Sequence, residues 1–158
     1  MQAPHVVQGE EGEALWFFGT VLLLKATAEQ TGGRFCLCEQ RGRRGMNIPL
    51  HRQPADDETF VVLEGELHFF LEDARPIWAG PGTTVHVPAG APHAFSVASE
   101  TARFLDLTTP NHEAFFRAAG EPAPERVLPP DAPPDMAKVG AAAERFGVEI
   151  LGPPPSLA

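Results

Sequence analysis

The sequence predicts an all-β fold, a sandwich or barrel of short strands, followed by two short helices. Between Leu15 and Thr108 the chain alternates short apolar or β-branched runs with turn residues, which is typical of sandwiches and barrels. Glu64 and Gly65 separate two such runs by two residues, as in a β-hairpin. Helical spacing of apolar residues begins only at about residue 110.

Nine segments are expected to form strands, because each carries residues that favour extended backbone and is bounded by turn residues. In chain order they are Leu15–Thr27, Arg34–Arg41, Glu58–Leu63, Glu66–Leu71, Pro76–Ala79, Thr83–Val87, His93–Val97, Arg103–Thr108 and Val148–Leu151. Their number and regular spacing favour a sandwich or barrel.

The end of the chain changes character. Thr109 is a good N-cap and Pro110 suits the first helical position, so we expect a short helix that ends at Gly120. A Pro-rich connection over residues 121–134 should be extended. A second helix is expected from Asp135 to Phe146, and we interpret both helices as packing on the outside of the β structure.

Length and charge limit the possible partners. The 158 residues fit a single domain over 1–158, with a core at about 14–109 and a helical, Pro-rich extension over 110–158. The net charge of −9 argues against a nucleic-acid partner, which requires a basic face. No apolar run approaches the ~20 residues of a membrane span, so we expect no membrane partner.

Cysteine usage favours a reducing compartment. With two cysteines and no export signal, we expect the chain to be cytoplasmic. Cys36 and Cys38 lie two apart in a predicted strand, on one face, where a disulfide between them is geometrically poor. We interpret both as packing residues.

Two separated stretches carry candidate metal ligands. In the first, which runs from Gly45 to Gly65, His51 and Gln53 share one face and Glu58 begins the next strand. In the second, which runs from Gly82 to Val97, His93 follows a Pro-x-Gly turn and precedes inward-facing apolar residues. Two imidazoles, a carboxylate and an amide oxygen that converge inside a barrel would make a mixed nitrogen and oxygen metal site.

These stretches resemble the cupin family motifs G-x5-H-x-H-x3-4-E-x6-G and G-x5-P-x-G-x2-H-x3-N. The departures are Gln53, where the motif has its second histidine, and Val97, where the motif ends in asparagine. Further segments are similar to small bacterial quercetin 2,3-dioxygenase-like cupins. They are L-W-F-F-G-T, T-G-G-R-F, E-T-F-V-V-L-E-G-E, P-A-G-A-P-H-A-F and G-V-E-I-L-G-P-P.

The resemblance implies a single-domain cupin, a jelly-roll β-barrel with two short C-terminal helices packed outside. It implies that His51, Glu58, His93 and, at the altered position, Gln53 bind a divalent Fe, Mn, Ni or Co ion, with Zn also possible. It implies a dioxygenase acting on a small aromatic or enolisable substrate, with Glu58 as the catalytic residue that takes a proton, and a homodimer.

Two alternatives stay open. One is a cupin isomerase or lyase that uses the same metal without O2. The other is a non-catalytic binding module whose metal site is weakened or lost, which the amide of Gln53 favours because an amide oxygen is a poorer ligand than imidazole for transition metals.

Other polar residues near these stretches are interpreted as structural. Asp56 and Asp57 lack the motif position of Glu58 and are expected in a solvated turn. The remaining histidines have no partner at ligand spacing and are expected to be structural or exposed; they are His5, His68, His86 and His112.

Overall fold

The computed structural model describes residues 2–72 and 75–157. The strands within these ranges are β1 (Glu13–Phe17), β2 (Thr20–Ala26), β3 (Cys36–Arg43), β4 (Leu50–Arg52), β5 (Glu58–Glu64), β6 (Leu67–Phe70), β7 (Pro76–Ala79), β8 (Thr84–Val87), β9 (Ala94–Val97), β10 (Thr101–Thr108), β11 (Glu121–Pro122) and β12 (Glu149–Gly152). The helices are α1 (Pro110–Ala119) and α2 (Met136–Phe146).

The strands form three sheets. One has seven strands in the order β11-β1-β2-β3-β10-β5-β8, one has three in the order β7-β6-β9, and β12 pairs with β4. Neighbouring strands are antiparallel. The all-β prediction, with a jelly-roll arrangement and two short C-terminal helices, is therefore confirmed. The extent of the single domain stays a prediction.

Side-chain alternation places the core between the large sheet and the three-stranded sheet. Phe60 on β5 and Phe104 on β10 are buried on the inner face of the large sheet. They meet Phe69 on β6 and Phe95 on β9, with ring centroids 5.2 Å apart for Phe60 and Phe69 and 5.5 Å apart for Phe95 and Phe104. Aromatic pairs at these separations stabilise the core beyond their buried area.

The segment predicted as one strand, Leu15–Thr27, is a hairpin of β1 and β2. Phe17 pairs with Thr20 across a two-residue turn of Phe18 and Gly19, which have φ of 47° and 75°. Tight hairpins require positive φ at both central residues, which suits the right-handed strand twist. Phenylalanine rarely adopts that conformation, so the turn lacks its usual sequence signal.

Both helices begin and end where the caps predict. The Thr109 side chain accepts a hydrogen bond from the His112 N–H at the start of α1, and Asp135 caps α2 in the same way. Gly147 ends α2 with φ of 75°, a left-handed conformation that glycine adopts without strain. Across residues 2–72 and 75–157, no helix has the length and apolar character needed to cross a membrane.

Both cysteines lie in the core, as expected. Cys36 and Cys38 are fully buried free thiols on the inner face of β3. Burial raises the pKa of both thiols, so they stay protonated and act as packing residues.

Candidate metal centre

His51 is held by the backbone around it. Its peptide N–H and C=O form two hydrogen bonds with His93, of 3.1 and 2.9 Å, which join the two motif stretches. Its Nδ1 lies 2.8 Å from the carbonyl oxygen of Pro49 and must carry the hydrogen, because a carbonyl only accepts. In the neutral ring, Nε2 therefore presents a lone pair to the interior.

His93 repeats this arrangement from the opposite stretch. Its Nδ1 donates to the carbonyl oxygen of Ala91 at 3.0 Å, so its Nε2 is also left as a lone-pair donor for a metal. The His51 and His93 rings lie with centroids 4.2 Å apart, and both side chains are buried. Metal-binding imidazoles are characteristically fixed in this way through the nitrogen that does not bind the metal.

Glu58 and Gln53 supply the oxygens. Glu58 Oε2 lies 3.1 Å from His93 Nε2, and Gln53 Oε1 lies 3.0 Å from His51 Nε2. Gln53 is fully buried, and its backbone carbonyl accepts a hydrogen bond from the Gly90 N–H at 2.9 Å. The turn before His93 thus also fixes the residue that replaces the second motif histidine.

These contacts have the chemistry of a cation site. When both rings are neutral, each Nε2 lone pair faces an oxygen that has a lone pair of its own, so neither contact then has a hydrogen to share. A cation among these atoms turns both contacts into favourable ones, and this nitrogen and oxygen set suits divalent transition metals. The ligand atoms of His51, Glu58 and His93 all lie within 4.8 Å of one another, so the residues fit a metal ion. We call His51, Gln53, Glu58 and His93 the metal centre.

The charge states also suit a metal. Burial, followed by the neighbouring His93, lowers the pKa of His51 to about 4, so its imidazole is neutral at physiological pH. Burial alone would raise the pKa of Glu58, but His112 and His93 outweigh it and hold that pKa well below its ordinary value. The centre therefore offers a neutral imidazole at His51 and an ionised carboxylate at Glu58.

His112 was expected to be structural or exposed, with no partner at ligand spacing, and its contact with the metal centre was missed. It extends from α1 into the interior, is buried, and places Nε2 2.8 Å from Glu58 Oε1. Its Nδ1 lies 3.2 Å from Gln53 Nε2. Because β10 pairs antiparallel with β5, the end of β10 lies beside the start of β5. The helix that follows β10 therefore carries His112 over Glu58.

The expectation for Asp56 is also wrong, whereas Asp57 is exposed as expected. Asp56 is buried, and its carboxylate accepts hydrogen bonds from the Thr109 hydroxyl and, at 3.0 Å, from Asn111 Nδ2. It therefore ties the loop before Glu58 to the start of α1 instead of lying in a solvated turn.

Asp106 is a further buried acid that sequence reasoning missed. It lies on the inner face of β10, and its Oδ2 is 3.5 Å from Gln40 Nε2. Its Oδ1 has no hydrogen-bond partner among the described residues. Burial, followed by the charge of Glu58, raises its pKa well above the ordinary value. Strict alternation along Thr101–Thr108 is the signal that could have placed it inside.

The other histidines lie away from the centre. His86 is exposed and bonds Thr59 at 2.8 Å, and His5 is also exposed. His68 is buried against the Trp78 ring, with centroids 4.0 Å apart. These three are structural or exposed, as expected.

A small cavity lies beside the metal centre and shares three lining residues with a larger groove. The cavity has a volume of about 40 Å³ and is lined by His51, Glu58, Asp106 and His112 together with Phe17, Phe95, Phe115 and Phe116. The groove has a volume of about 760 Å³, is lined by Arg43, Arg44, Met46, Pro129 and Pro154, and shares Phe18, Pro49 and Ile150 with the cavity. The cavity holds water-sized molecules, so a larger substrate does not fit inside it.

Comparisons with known proteins identify similar sequences and folds. The family model described as "Cupin domain" matches residues 43–108. Quercetin 2,3-dioxygenase of Bacillus subtilis is 29% identical over 127 residues, 80% of this chain and 37% of that protein. Dimethylsulfoniopropionate lyase DddQ of Ruegeria pomeroyi is 42% identical over 50 residues, 32% of this chain and 24% of that protein. The matches thus span well under half of both relatives.

Solved structures share the fold. KdgF from Halomonas sp. matches with a TM-score of 0.60 and 16% identity, over 68% of this chain and 94% of that one. The polyketide cyclase RemF from Streptomyces resistomycificus matches with a TM-score of 0.55 and 26% identity, over 70% and 80% of the two chains.

Proposed function

Since this chain belongs to the cupin superfamily, we propose that it is a metal-dependent dioxygenase acting on a small aromatic or enolisable substrate. The observation that carries the proposal is the pair of buried imidazole lone pairs, on His51 and His93, that face the oxygens of Gln53 and Glu58. The match to a quercetin 2,3-dioxygenase along most of this chain supports the reaction class.

The chemistry requires a bound divalent ion, for which we propose Fe, Mn, Ni or Co, with Zn also possible. Such an ion would act as a Lewis acid that stabilises an ionised substrate hydroxyl. The protein supplies neutral imidazoles from His51 and His93 and oxygens from Glu58 and Gln53. The phenylalanines around the cavity make its surroundings less polar, which strengthens electrostatic interactions there.

Glu58 is the residue we propose to accept the substrate proton. It is buried at the centre and its low pKa keeps it deprotonated, so it is available as a base at neutral pH. Asp106 lines the same cavity, and burial followed by the charge of Glu58 raises its pKa well above the ordinary value. The pKa values of the two acids are therefore shifted in opposite directions.

The cavity size limits the substrate. A volume of about 40 Å³ next to the centre is well below the ~300–1,000 Å³ of ordinary ligand pockets. We therefore propose that only the reacting hydroxyl and carbonyl enter the cavity and that the rest of the substrate lies in the groove. Arg43 and Arg44 along the groove favour a substrate with an anionic group there.

A lyase, cyclase or isomerase that uses the same metal without O2 is the second candidate. The similarity to a dimethylsulfoniopropionate lyase and to a polyketide cyclase favours it, because elimination and cyclisation are not oxidations. O2 consumption by the metal-loaded protein with small hydroxyaromatic and 1,3-dicarbonyl compounds decides between them. Turnover that consumes O2 and stops anaerobically supports the dioxygenase, and equal anaerobic turnover supports the second candidate.

A non-catalytic binding module is the third candidate, and Gln53 is the feature that favours it. Replacement Gln53→His restores the motif imidazole and tests it directly. If the natural protein binds Co²⁺ and His51→Ala does not, the module without a metal is excluded. If only Gln53→His binds Co²⁺, the site has lost its metal.

We further propose a cytoplasmic homodimer. Trp78 and Ile77 are exposed on β7, an edge strand of its sheet, and an unpaired edge is a ready site for association. Light scattering coupled to size-exclusion chromatography measures the mass. A dimer that dissociates in Trp78→Glu supports this surface, and an unchanged dimer or a natural monomer contradicts it.

A further inference from the structure

We propose that His112, carried by α1, is a positioning residue that holds the two oxygen ligands of the metal centre in their binding orientations. The inference rests on the proposed metal centre. It concerns a histidine that lies outside both motif stretches and reaches the centre from the helix that follows the last strand of the large sheet.

The hydrogen-bond pattern assigns the protons on His112. The Gln53 NH2 lies 3.2 Å from His112 Nδ1 and 3.5 Å from His112 Nε2, and we assign its hydrogen bond to the nearer nitrogen, so Nδ1 is an acceptor without a hydrogen. In a neutral imidazole the other nitrogen then carries the proton. His112 Nε2–H therefore donates to Glu58 Oε1 at 2.8 Å. His112 thus accepts a hydrogen bond from the side chain of Gln53 and donates one to the side chain of Glu58.

This pattern fixes which atoms face the metal. Because Oε1 of Glu58 accepts a hydrogen bond from His112, Oε2 is the oxygen that lies next to His93 Nε2. Because the side-chain NH2 of Gln53 donates a hydrogen bond to His112, Oε1 of Gln53 is the atom that lies next to His51 Nε2. Turning the amide around would present NH2 to the cation and remove a ligand. A histidine at this position would not have an amide that can point either its NH2 or its oxygen at the metal. His112 therefore compensates for glutamine at position 53 by fixing the orientation of the amide.

The surroundings hold His112 rigidly. Its ring stacks on Phe115 with centroids 5.2 Å apart and meets Phe116 edge-on at 4.5 Å. The Thr109 hydroxyl accepts from its backbone N–H at 3.1 Å, and Asp56 in turn accepts from that hydroxyl. His112 is therefore fixed independently of a bound metal.

Direct ligation by His112 fits the geometry less well. The ligand atoms that lie within 4.8 Å of one another belong to His51, Glu58 and His93 and do not include those of His112. Its Nε2 faces the carboxylate oxygen other than the one at His93.

The test compares His112→Leu with His112→Gln, and uses His86→Leu as the control because His86 is exposed outside the centre. Co²⁺ affinity is measured by competition with a chelating dye, and ligand geometry by the visible absorption of bound Co²⁺. Leucine fills the space without polar contacts and should weaken Co²⁺ binding by ~10–100-fold and alter the spectrum. Glutamine keeps an acceptor and an N–H donor and should restore much of both.

Circular dichroism establishes that each variant is folded before its affinity is compared. Natural affinity and spectrum in His112→Leu would overturn this inference while leaving the metal centre intact. Electron spin echo spectroscopy of the Cu²⁺ form counts the imidazoles bound to the metal. Three metal-bound imidazoles in the natural protein would also overturn the inference, because His112 would then be a ligand. Absence of Co²⁺ binding in the natural protein would overturn the proposed function as well.

Discussion

The space between the large sheet and the three-stranded sheet has a polar end and an apolar end, although the same strands build both. On β5, inward-facing Glu58 is followed two residues later by Phe60. On β10, Asp106 pairs directly with Phe60, and the next inward-facing residue is Phe104. A shift of two residues along a strand therefore changes the interior from ionisable side chains to a dry aromatic cluster.

The residues that stabilise the fold and the residues that we propose to bind the metal thus lie at different ends of the same interior space. The phenylalanines pack in mutual contact and stabilise the fold through buried apolar area. The polar end concentrates buried groups that cost stability unless each has a partner, and we attribute its retention to metal binding. Substitutions of metal ligands at the polar end should therefore lower metal affinity, and substitutions at the apolar end should lower the free energy of unfolding.

The largest effect is expected for Glu58→Gln at the polar end. Glutamine keeps the shape of the side chain but removes its negative charge, so Co²⁺ affinity should fall by at least ~100-fold and turnover should be abolished. Circular dichroism should show an intact fold. An active Glu58→Gln protein would exclude Glu58 as the proton acceptor.

The apolar counterpart is Phe104→Ala, which removes a fully buried ring from the aromatic cluster. The free energy of unfolding should fall by about 3–5 kcal/mol, as measured by urea denaturation. Metal affinity of the folded fraction should be unchanged. A large loss of affinity without a loss of stability would mean that the two ends are not separable.

A pH titration examines the polar end without metal. The pKa of His51 is lowered to about 4, whereas an unfolded histidine titrates near ~6.5. Between these values the unfolded chain takes up a proton that the folded chain refuses, so stability should fall as the pH drops from about 6.5 to about 4, by about 3 kcal/mol. Urea denaturation with chelator present measures this, and His51→Asn should flatten the slope. Equal slopes in both proteins would contradict the pKa shift.

A smaller effect of opposite sign is expected for Asp106→Asn. The raised pKa of Asp106 means that the folded protein must hold a proton that the unfolded chain releases above about pH 4. Asparagine removes this requirement, so the variant should be more stable than the natural protein at neutral pH. The gain should increase as pH rises towards the folded-state pKa. Asp57→Asn, at an exposed aspartate, is the control and should show no gain.

The sequence alone predicted those features that depend on short stretches of the chain. Thr109 with Pro110, and Asp135 with Gly147, mark both helices, and the spacing of the two motifs brings His51, Glu58 and His93 together. These features depend on residues near one another in the chain or on a pattern with a fixed register.

Features that depend on strand pairing could not be read from the sequence. His112 contacts Glu58 because β10 and β5 are neighbours, and no short stretch of the chain records that pairing. Asp56 is buried for the same reason, since its partners Thr109 and Asn111 lie at the start of α1. The Phe18 turn was missed because phenylalanine is rare at positive φ.

The metal content of the freshly purified protein tests most directly whether this centre binds a metal. The natural protein, His51→Ala and the control His86→Ala are compared by elemental analysis after equal exposure to divalent ions. We expect near-stoichiometric metal in the natural protein and in His86→Ala, and almost none in His51→Ala. Equal metal in all three proteins, or none in any, would rule out a metal centre at His51.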